Sequence, residues 1–267
     1  MYDLHCHILP NIDDGAGDLS VALEMARIAV DDGITHLACT PHIYPGLFDN
    51  SPEHIAAALA SFRKELEARD MSLELTYGAD IQVVPELVEG LRAGVFPTLN
   101  QSRYFLFEPP HHVPLVNFAQ FVFDALQAGF TPVITHPERL GWIKEHYREF
   151  VSAVQAGAWI QLTAGSLTGR FGKVAKYWGE RMLGDGIVHV LATDGHDCCN
   201  RPPLLAEGEG IAQRVVGKEE AMRLVLDRPR SAWENADPAT VSGPPGLGQP
   251  GKGGGKKSRG FFRRLFR

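Results

Sequence analysis

The chain opens with Asp3-Leu4-His5-Cys6-His7, followed by Asp13-Asp14-Gly15 and then by Thr40-Pro41-His42. Side chains alternate along a strand, so His5 and His7 share a face and can offer two imidazole nitrogens to one metal. The nearby carboxylates and further His point to more than one ion, an arrangement used by enzymes that cleave phosphate esters. An isolated His-x-His is a weak signal, but this chain keeps supplying partners.

The elements that must position these groups follow a regular rhythm. Short apolar runs at 2–6, 34–40, 73–80, 103–108, 131–136, 158–163 and 187–193 read as strands, and amphipathic stretches at 19–32, 53–69, 116–128, 147–156 and 170–184 read as helices. Gly33, Gly129, Gly157 and Gly186 punctuate helix ends just before strands. A further helical region at about 204–227 closes the folded part. The alternation predicts parallel βαβ units, in either an open doubly wound sheet or a closed barrel. The polar residues favour the barrel. His5 and His7 end the first strand, His42 follows the second, Asp80 ends the third, Glu108 the fourth and His136 the fifth, while Asp194 and His196 follow the seventh. Such groups converge on one point only if the strands form a ring, with the site at the C-terminal mouth. The sixth strand, ending Gln161-Leu162-Thr163, supplies no obvious ligand.

The 267 residues, 44% apolar and 22% charged, suit a soluble globular protein. No basic-then-apolar leader precedes the first strand, and no run is long enough to span a bilayer. Cys6, Cys39, Cys198 and Cys199 lack zinc-type CxxC spacing, and the expected compartment is a reducing cytoplasm. Seven cations and no acid lie between 251 and 267, which leaves 19 basic against 32 acidic residues elsewhere. An acidic body argues against a nucleic-acid partner. The expected organisation is a barrel over 1–240, then a Gly/Pro-rich linker and a disordered basic-aromatic tail over 241–267. Residues 256–267 mix Lys and Arg with Phe and Leu, and read either as a weak contact with the inner face of the cell membrane or as a solvated end.

Other polar residues have plainer readings. His54 and His146 read as surface residues, His36 and His189 as structural, and His111 and His112 as facing solvent or touching substrate, with solvent favoured. Asp13, beside Asp-Gly, reads as a turn residue.

The motifs resemble the polymerase-and-histidinol-phosphatase (PHP) superfamily. Within it they resemble the bacterial manganese-dependent protein tyrosine phosphatases of capsule and exopolysaccharide synthesis. The resemblance rests on Asp3–Pro10 with Ile12-Asp13-Asp14-Gly15, on Thr40-Pro41-His42, and on Tyr77-Gly78-Ala79-Asp80. It continues with Phe96–Asn100, Ser102-Arg103-Tyr104 and Glu108, with Thr131–Arg139, and with Ala192–His196 followed by Arg201-Pro202-Pro203. It covers about residues 1–235.

The resemblance implies a distorted seven-stranded β/α barrel, TIM-like, with three divalent ions. These would be manganese, with iron, zinc or cobalt as other occupants of an oxygen- and nitrogen-rich ligand set. It implies that His5, His7 and Asp194 hold one ion and that Asp80 bridges it to a second bound by Glu108 and His136. Asp14, His42 and His196 would hold the third, with Arg139 and Arg201 as phosphate clamps. Two positions depart from the pattern: Asp80 stands where Glu is usual, and Thr193-Asp194-Gly195-His196-Asp197 replaces Ser-Asp-Ala-His-Asn. Gly195 would permit a looser turn, and Asp197 would add negative charge near the site. None of the four cysteines has an Arg six residues later, which disfavours a Cys-nucleophile phosphatase. The implied substrate is the phosphotyrosyl tail of a membrane-associated bacterial tyrosine kinase. Alternatives are a small-molecule phosphoesterase such as histidinol-phosphate phosphatase, and a non-catalytic regulatory barrel. A homo-oligomer is compatible with the sequence.

Overall fold

A computed structural model describes residues 1–247. Strand β1 (Tyr2–Cys6) leads into helix α1 (Leu19–Asp31), whose first turn is capped by Asp18 accepting from Val21 N at 2.9 Å. Strands β2 (His36–Cys39) and β3 (His42–Ile43) precede α2 (Pro52–Glu67), capped by Ser51 with Pro52 at its start. Then come β4 (Glu74–Tyr77), β5 (Asp80–Gln82), α3 (Leu87–Ala93), β6 (Tyr104–Glu108), α4 (Phe118–Gln127), β7 (Thr131–Thr135) and α5 (Ile143–Ala156). Strand β8 (Trp159–Thr163), α6 (Ala164–Thr168), α7 (Gly172–Gly184) and β9 (Val190–Ala192) follow. Helices α8 (Ala206–Val216), α9 (Lys218–Met222) and α10 (Arg228–Trp233) close the body. All four glycines expected to stop helices have positive φ, which fits their place after the last helical turn.

Among the described residues nine strands replace the seven expected, and they lie in two parallel sheets, β1-β2-β4 and β3-β5-β6-β7-β8-β9. Two of the expected strands are broken. Pro41 has no N–H to continue the ladder of 34–40, and the run 73–80 breaks opposite it at Gly78-Ala79. Pairing keeps its register across the break: Cys39 faces Tyr77 and His42 faces Asp80. Gly78 N bonds Cys39 O, and Asp80 N bonds Pro41 O, both at 3.1 Å. The kink therefore moves the ends of both strands together from one sheet into the other. Across the other junction, Cys6 bridges Gly195, Asp194 N donates to His5 O and His7 N donates to Gly195 O, each at 2.8 Å. No continuous ladder closes the sheets into a ring among the described residues, so the closed seven-stranded sheet expected from the pattern gives way to a mixed α/β fold with two parallel sheets.

Both sheets nevertheless share an interior. Leu4 and Ala38 from one sheet meet Tyr104, Leu106, Val133, Trp159 and Val190 from the other in one buried apolar cluster. Opposite faces pack against the helices through residues such as Leu37, Phe105, Phe107, Ile134, Ile160 and Leu191. Burial on both faces is why these strands read as nearly unbroken apolar runs. The inward face continues, at even spacing, from Leu106 to Glu108, from Trp159 to Gln161, from Ala38 to His42 and from Val190 to Asp194. The period of the strands thus carries the apolar floor directly into a polar layer.

The last described residues lie against the body. Arg228 donates to the carbonyls of Ser242 and Gly243, and Gly246 N donates to Gly186 O, so the expected linker begins as a docked segment. The basic-aromatic stretch 256–267 lies outside the described residues. No helix among the described residues is long and apolar enough to cross a membrane.

Candidate metal centre

The polar layer is built from imidazoles and carboxylates that converge on one another. His5 Nδ1 is bonded to Gln161 Oε1 at 3.0 Å, and His7 Nδ1 to Asp13 Oδ2 at 2.7 Å. Both bonds hold the Nδ1 edge of each ring outward and turn Nε2 inward, the edge a metal ion would take. Those two Nε2 atoms lie 3.0 Å apart, and Asp194 Oδ1 lies 3.4 Å from both. Asp80 Oδ2 is 3.4 Å from His5 Nε2. Lone pairs packed at this distance, buried from water, form a site for a cation.

Asp80 sits at the centre of a wider set. Its Oδ2 is 3.5 Å from His42 Nδ1 and 3.8 Å from His136 Nε2, yet neither of its oxygens has a hydrogen-bond partner. Glu108 lies 3.4 Å from His42 and 3.9 Å from His136. On the outer side, Asp14 Oδ1 is 3.5 Å from His42 Nε2 and 3.4 Å from His196 Nε2. Compact groups with metal-ligand geometry are His5–His7–Asp80, His42–Asp80–Glu108, His7–Asp14–His42–His196 and Glu108–His111–His136. All nine residues expected as ligands are thus brought to one place. The residues fit divalent ions: the oxygens of Asp80, His42 Nδ1 and His196 Nε2 are buried atoms without a hydrogen-bond partner, which a cation would satisfy.

Charge in the cluster is finely opposed. Burial pushes the Asp80 carboxyl up, but His5, His136 and His42 outweigh it and hold Asp80 well below the usual range. Burial likewise opposes ionisation of Asp194, which Arg139, His5 and Arg201 keep low. Burial lowers His5 while Asp80 and Asp194 raise it, to about 9; burial and Glu108 act the same way on His42, to about 10. Burial and Arg139 push His136 down to about 4, and burial and His7 do the same to His196. The carboxylates remain ionised ligands throughout.

Asp194 divides its carboxylate between two roles. Oδ1 faces His5 and His7, while Oδ2 accepts from Arg201 Nη2 at 2.7 Å and from Arg139 Nη1. Arg139 also lies over the Phe171 ring at 4.3 Å from its centroid, with Arg201 at 5.7 Å. Both expected phosphate clamps therefore stand at the edge of the cluster. A cleft of about 530 Å³ opens above them, lined by His42, Glu108, His136, Arg139, Asp194 and Arg201 among others.

Several supporting residues were not anticipated. Gln161 comes from the strand that supplies no obvious ligand and orients the ring of His5, a task open to an amide that no metal-ligand pattern reveals. Asp13 is more than a turn residue: it orients His7 and also accepts from His42 N at 3.1 Å. His111 turns inward rather than to solvent, with Nε2 3.4 Å from Glu108. Asp3 accepts from Thr193 N and Thr193 Oγ1, tying β1 to the end of β9, and burial pushes its carboxyl up to about 6. Glu138 ties the end of β7 to that of β8 through Thr163 N and Ser166 Oγ, and burial pushes it up to about 7.

The two motif departures behave differently from expectation. The left-handed backbone falls on Asp194 (φ 50°) rather than Gly195, and a Cβ on Gly195 would crowd Pro203 and Cys6. His136 is also left-handed (φ 35°). Two site residues thus carry conformations that cost on the order of 1–3 kcal/mol each. Asp197 accepts from the backbone N–H groups of Cys199, Asn200 and Arg201, so its charge organises the loop that carries Arg201. Gly15 is required by packing, since a Cβ there would fall 2.0 Å from His7 O.

A buried cluster of histidines and carboxylates at strand ends, flanked by two arginines, defines a metal-dependent hydrolase of anionic substrates. Residues 1–234 match the family model described as capsular polysaccharide synthesis, CpsB/CapC, and the chain belongs to that family. It is 37% identical over 221 residues to the tyrosine-protein phosphatase YwqE of Bacillus subtilis, covering 82% of this chain and 86% of YwqE. It is 30% identical over 208 residues to the putative tyrosine-protein phosphatase CapC of Staphylococcus aureus, covering 78% and 81% of the two chains. Among solved structures it matches a chain from the work on YwqE of Bacillus subtilis and CpsB of Streptococcus pneumoniae, described as unique metal-dependent tyrosine phosphatases. That match has a TM-score of 0.85 and 33% identity, and covers 89% of this chain and 96% of the other. The capsule-type resemblance read from the motifs is borne out.

Proposed function

We propose that this chain is a metal-dependent tyrosine-protein phosphatase of capsule or exopolysaccharide synthesis. The observation that carries the reading is the buried convergence of His5 and His7 on Asp194 and Asp80, directly beside Arg139 and Arg201. In this reading His5, His7 and Asp194 would hold one divalent ion, Glu108 and His136 a second with Asp80 available to both, and Asp14, His42 and His196 a third. The groupings around Asp14, His42 and His196 and around Glu108 and His136 support two of these sets, and the Asp194 contacts with His5 and His7 support the other. The oxygen- and nitrogen-rich ligand set suits manganese, with iron, zinc or cobalt as other occupants. Bound there, such ions supply a water nucleophile usable at neutral pH and Lewis-acid stabilisation of phosphoryl charge.

The chain's own residues do the rest. Arg139 and Arg201 present guanidinium forks to the equatorial phosphoryl oxygens, where charge accumulates during in-line displacement. Phe171, beneath both guanidinium groups, holds them toward the cleft. Asp194 Oδ2 keeps them near the ligands until an anion competes for them. A cysteine mechanism is disfavoured: none of the four cysteines has an Arg six residues later, and burial pushes the thiols of Cys6 and Cys39 well up, away from the nucleophilic thiolate.

The reading extends to a phosphotyrosyl tail of a membrane-associated tyrosine kinase as substrate. It also takes the two sheets as a distorted barrel interrupted at its kinks, which the shared interior cluster supports. Residues 1–240 are then the catalytic body and the segment after it a tail. Comparing turnover of a phosphotyrosyl peptide with that of histidinol phosphate tests the reading; strong preference for histidinol phosphate overturns it.

A further inference from the structure

Beside the metal centre, the cleft has an apolar wall that the fold does not need. Tyr44, Leu47 and Phe48 line one side of the cleft and Val113 also lines it. Leu47 is 63% exposed and Val113 61%, so neither contributes to the core. Exposed apolar side chains gathered at the mouth of a charged cleft are a recognition feature rather than a packing one.

The wall is rigidly referenced to the centre. Tyr44 and Phe48 close a tight turn through paired backbone bonds of 3.0 and 2.8 Å, with Gly46 at φ 83° and its N–H donating to Asp49 Oδ1. Asn50 then clamps the turn by donating to Ile12 O and His42 O. The Phe48 ring stacks on His42, with centroids 5.6 Å apart and an interplanar angle of 17°. The turn that carries Tyr44, Leu47 and Phe48 is thus tied to a proposed metal ligand.

We infer that Tyr44, Leu47, Phe48 and Val113 form the seat for the aromatic ring of an aryl phosphomonoester, making them the residues that select phosphotyrosine over alkyl phosphates. This rests on the phosphatase reading above. The floor of the cleft is buried, with Asp194 1% and His136 2% exposed, whereas the wall stands at the rim. A phosphoryl group held at the floor by Arg139 and Arg201 places the group esterified to it against that wall. A flat ring one oxygen away from phosphorus buries apolar surface there. A phosphoseryl side chain offers one methylene, and a polar alkyl phosphate leaves the wall wet.

The test uses full-length, manganese-loaded protein, calorimetric binding of phenylphosphonate and methylphosphonate, and separate turnover of a phosphotyrosyl peptide. Wild type should bind phenylphosphonate roughly 10-fold more tightly, and the double variant Leu47→Ser/Val113→Ser should lose most of that preference. Equal binding of the two phosphonates by wild type overturns the inference, as does a preference unchanged in the variant. Aryl preference without hydrolysis of the peptide overturns the phosphatase reading and leaves the ring seat standing. Hydrolysis without aryl preference does the reverse.

Discussion

His5 and His7 meet through Nε2 atoms 3.0 Å apart because Gln161 and Asp13 have taken up the opposite edge of each ring. The pair is therefore oriented before any ion arrives. Removing either support frees the ring to rotate or to change tautomer. Gln161→Ala and Asp13→Asn should each weaken metal binding roughly 10–100-fold while the protein stays folded. Metal titration by calorimetry, with circular dichroism as the folding check, measures this. Unchanged affinity in both variants contradicts the supporting role.

Asp80 has the shorter arm where the family pattern usually carries Glu, and it still reaches His5, His42 and His136 within 3.8 Å. Its proposed sharing between two ions predicts that Asp80→Ala lowers activity by roughly 10³-fold, with loss of bound metal. Asp80→Glu should keep activity within about 10-fold, a cost set by one extra methylene in a fully buried position. Elemental analysis together with phosphatase assays reads both. An Ala variant that keeps its full metal content would rule out the shared ligand.

Arg139 and Arg201 converge on Asp194 Oδ2, and an incoming phosphoryl group must draw them off it. A lysine keeps the charge but loses the fork. Arg139→Lys and Arg201→Lys should each reduce kcat/KM roughly 10–100-fold with metal content preserved. Loss of metal in step with activity would instead assign the arginines to holding Asp194.

His189 gives a pH signature away from the centre. It is buried, with Nδ1 accepting from Ile160 N, and burial together with Arg228 holds its pKa well below the ordinary 6.5. The unfolded chain takes up a proton below pH 6.5 that the native ring refuses. The stability contributed by the neutral ring is therefore present above that pH and is lost as pH falls. The loss sets in as pH falls below 6.5. His189→Gln should lack this component, so urea unfolding at the two pH values should show a smaller acid loss in the variant. Parallel losses would contradict it.

The nine candidate positions that the fold brings together were legible because ligation demands His, Asp or Glu, and parallel strands deliver such residues at their C-terminal ends. Strand alternation located the inward face, and the helix-stopping glycines located the turns. Gln161 stayed hidden because orienting an imidazole needs only a carbonyl oxygen, which many residue types supply. His111 and Asp13 looked like solvent and turn residues because their partners, Glu108 and His7, are chosen by loop geometry rather than by local periodicity. The split of 34–40 and 73–80 was partly announced by Pro41 and Gly78, but that both strands kink at one level follows only from their pairing. Helix α3 is short, and its role in the core depends on tertiary contacts that an isolated seven-residue segment does not announce.

The central claim is that the buried His and carboxylate cluster performs phosphotyrosine hydrolysis through bound divalent metal. The most direct measurement is initial-rate hydrolysis of a phosphotyrosyl peptide by protein stripped with chelator and then titrated with manganese, compared with His136→Ala treated identically. Activity should vanish on stripping and return with manganese in the wild type, and should stay absent in the folded variant. Full hydrolysis by the stripped protein, or by His136→Ala, would contradict the account.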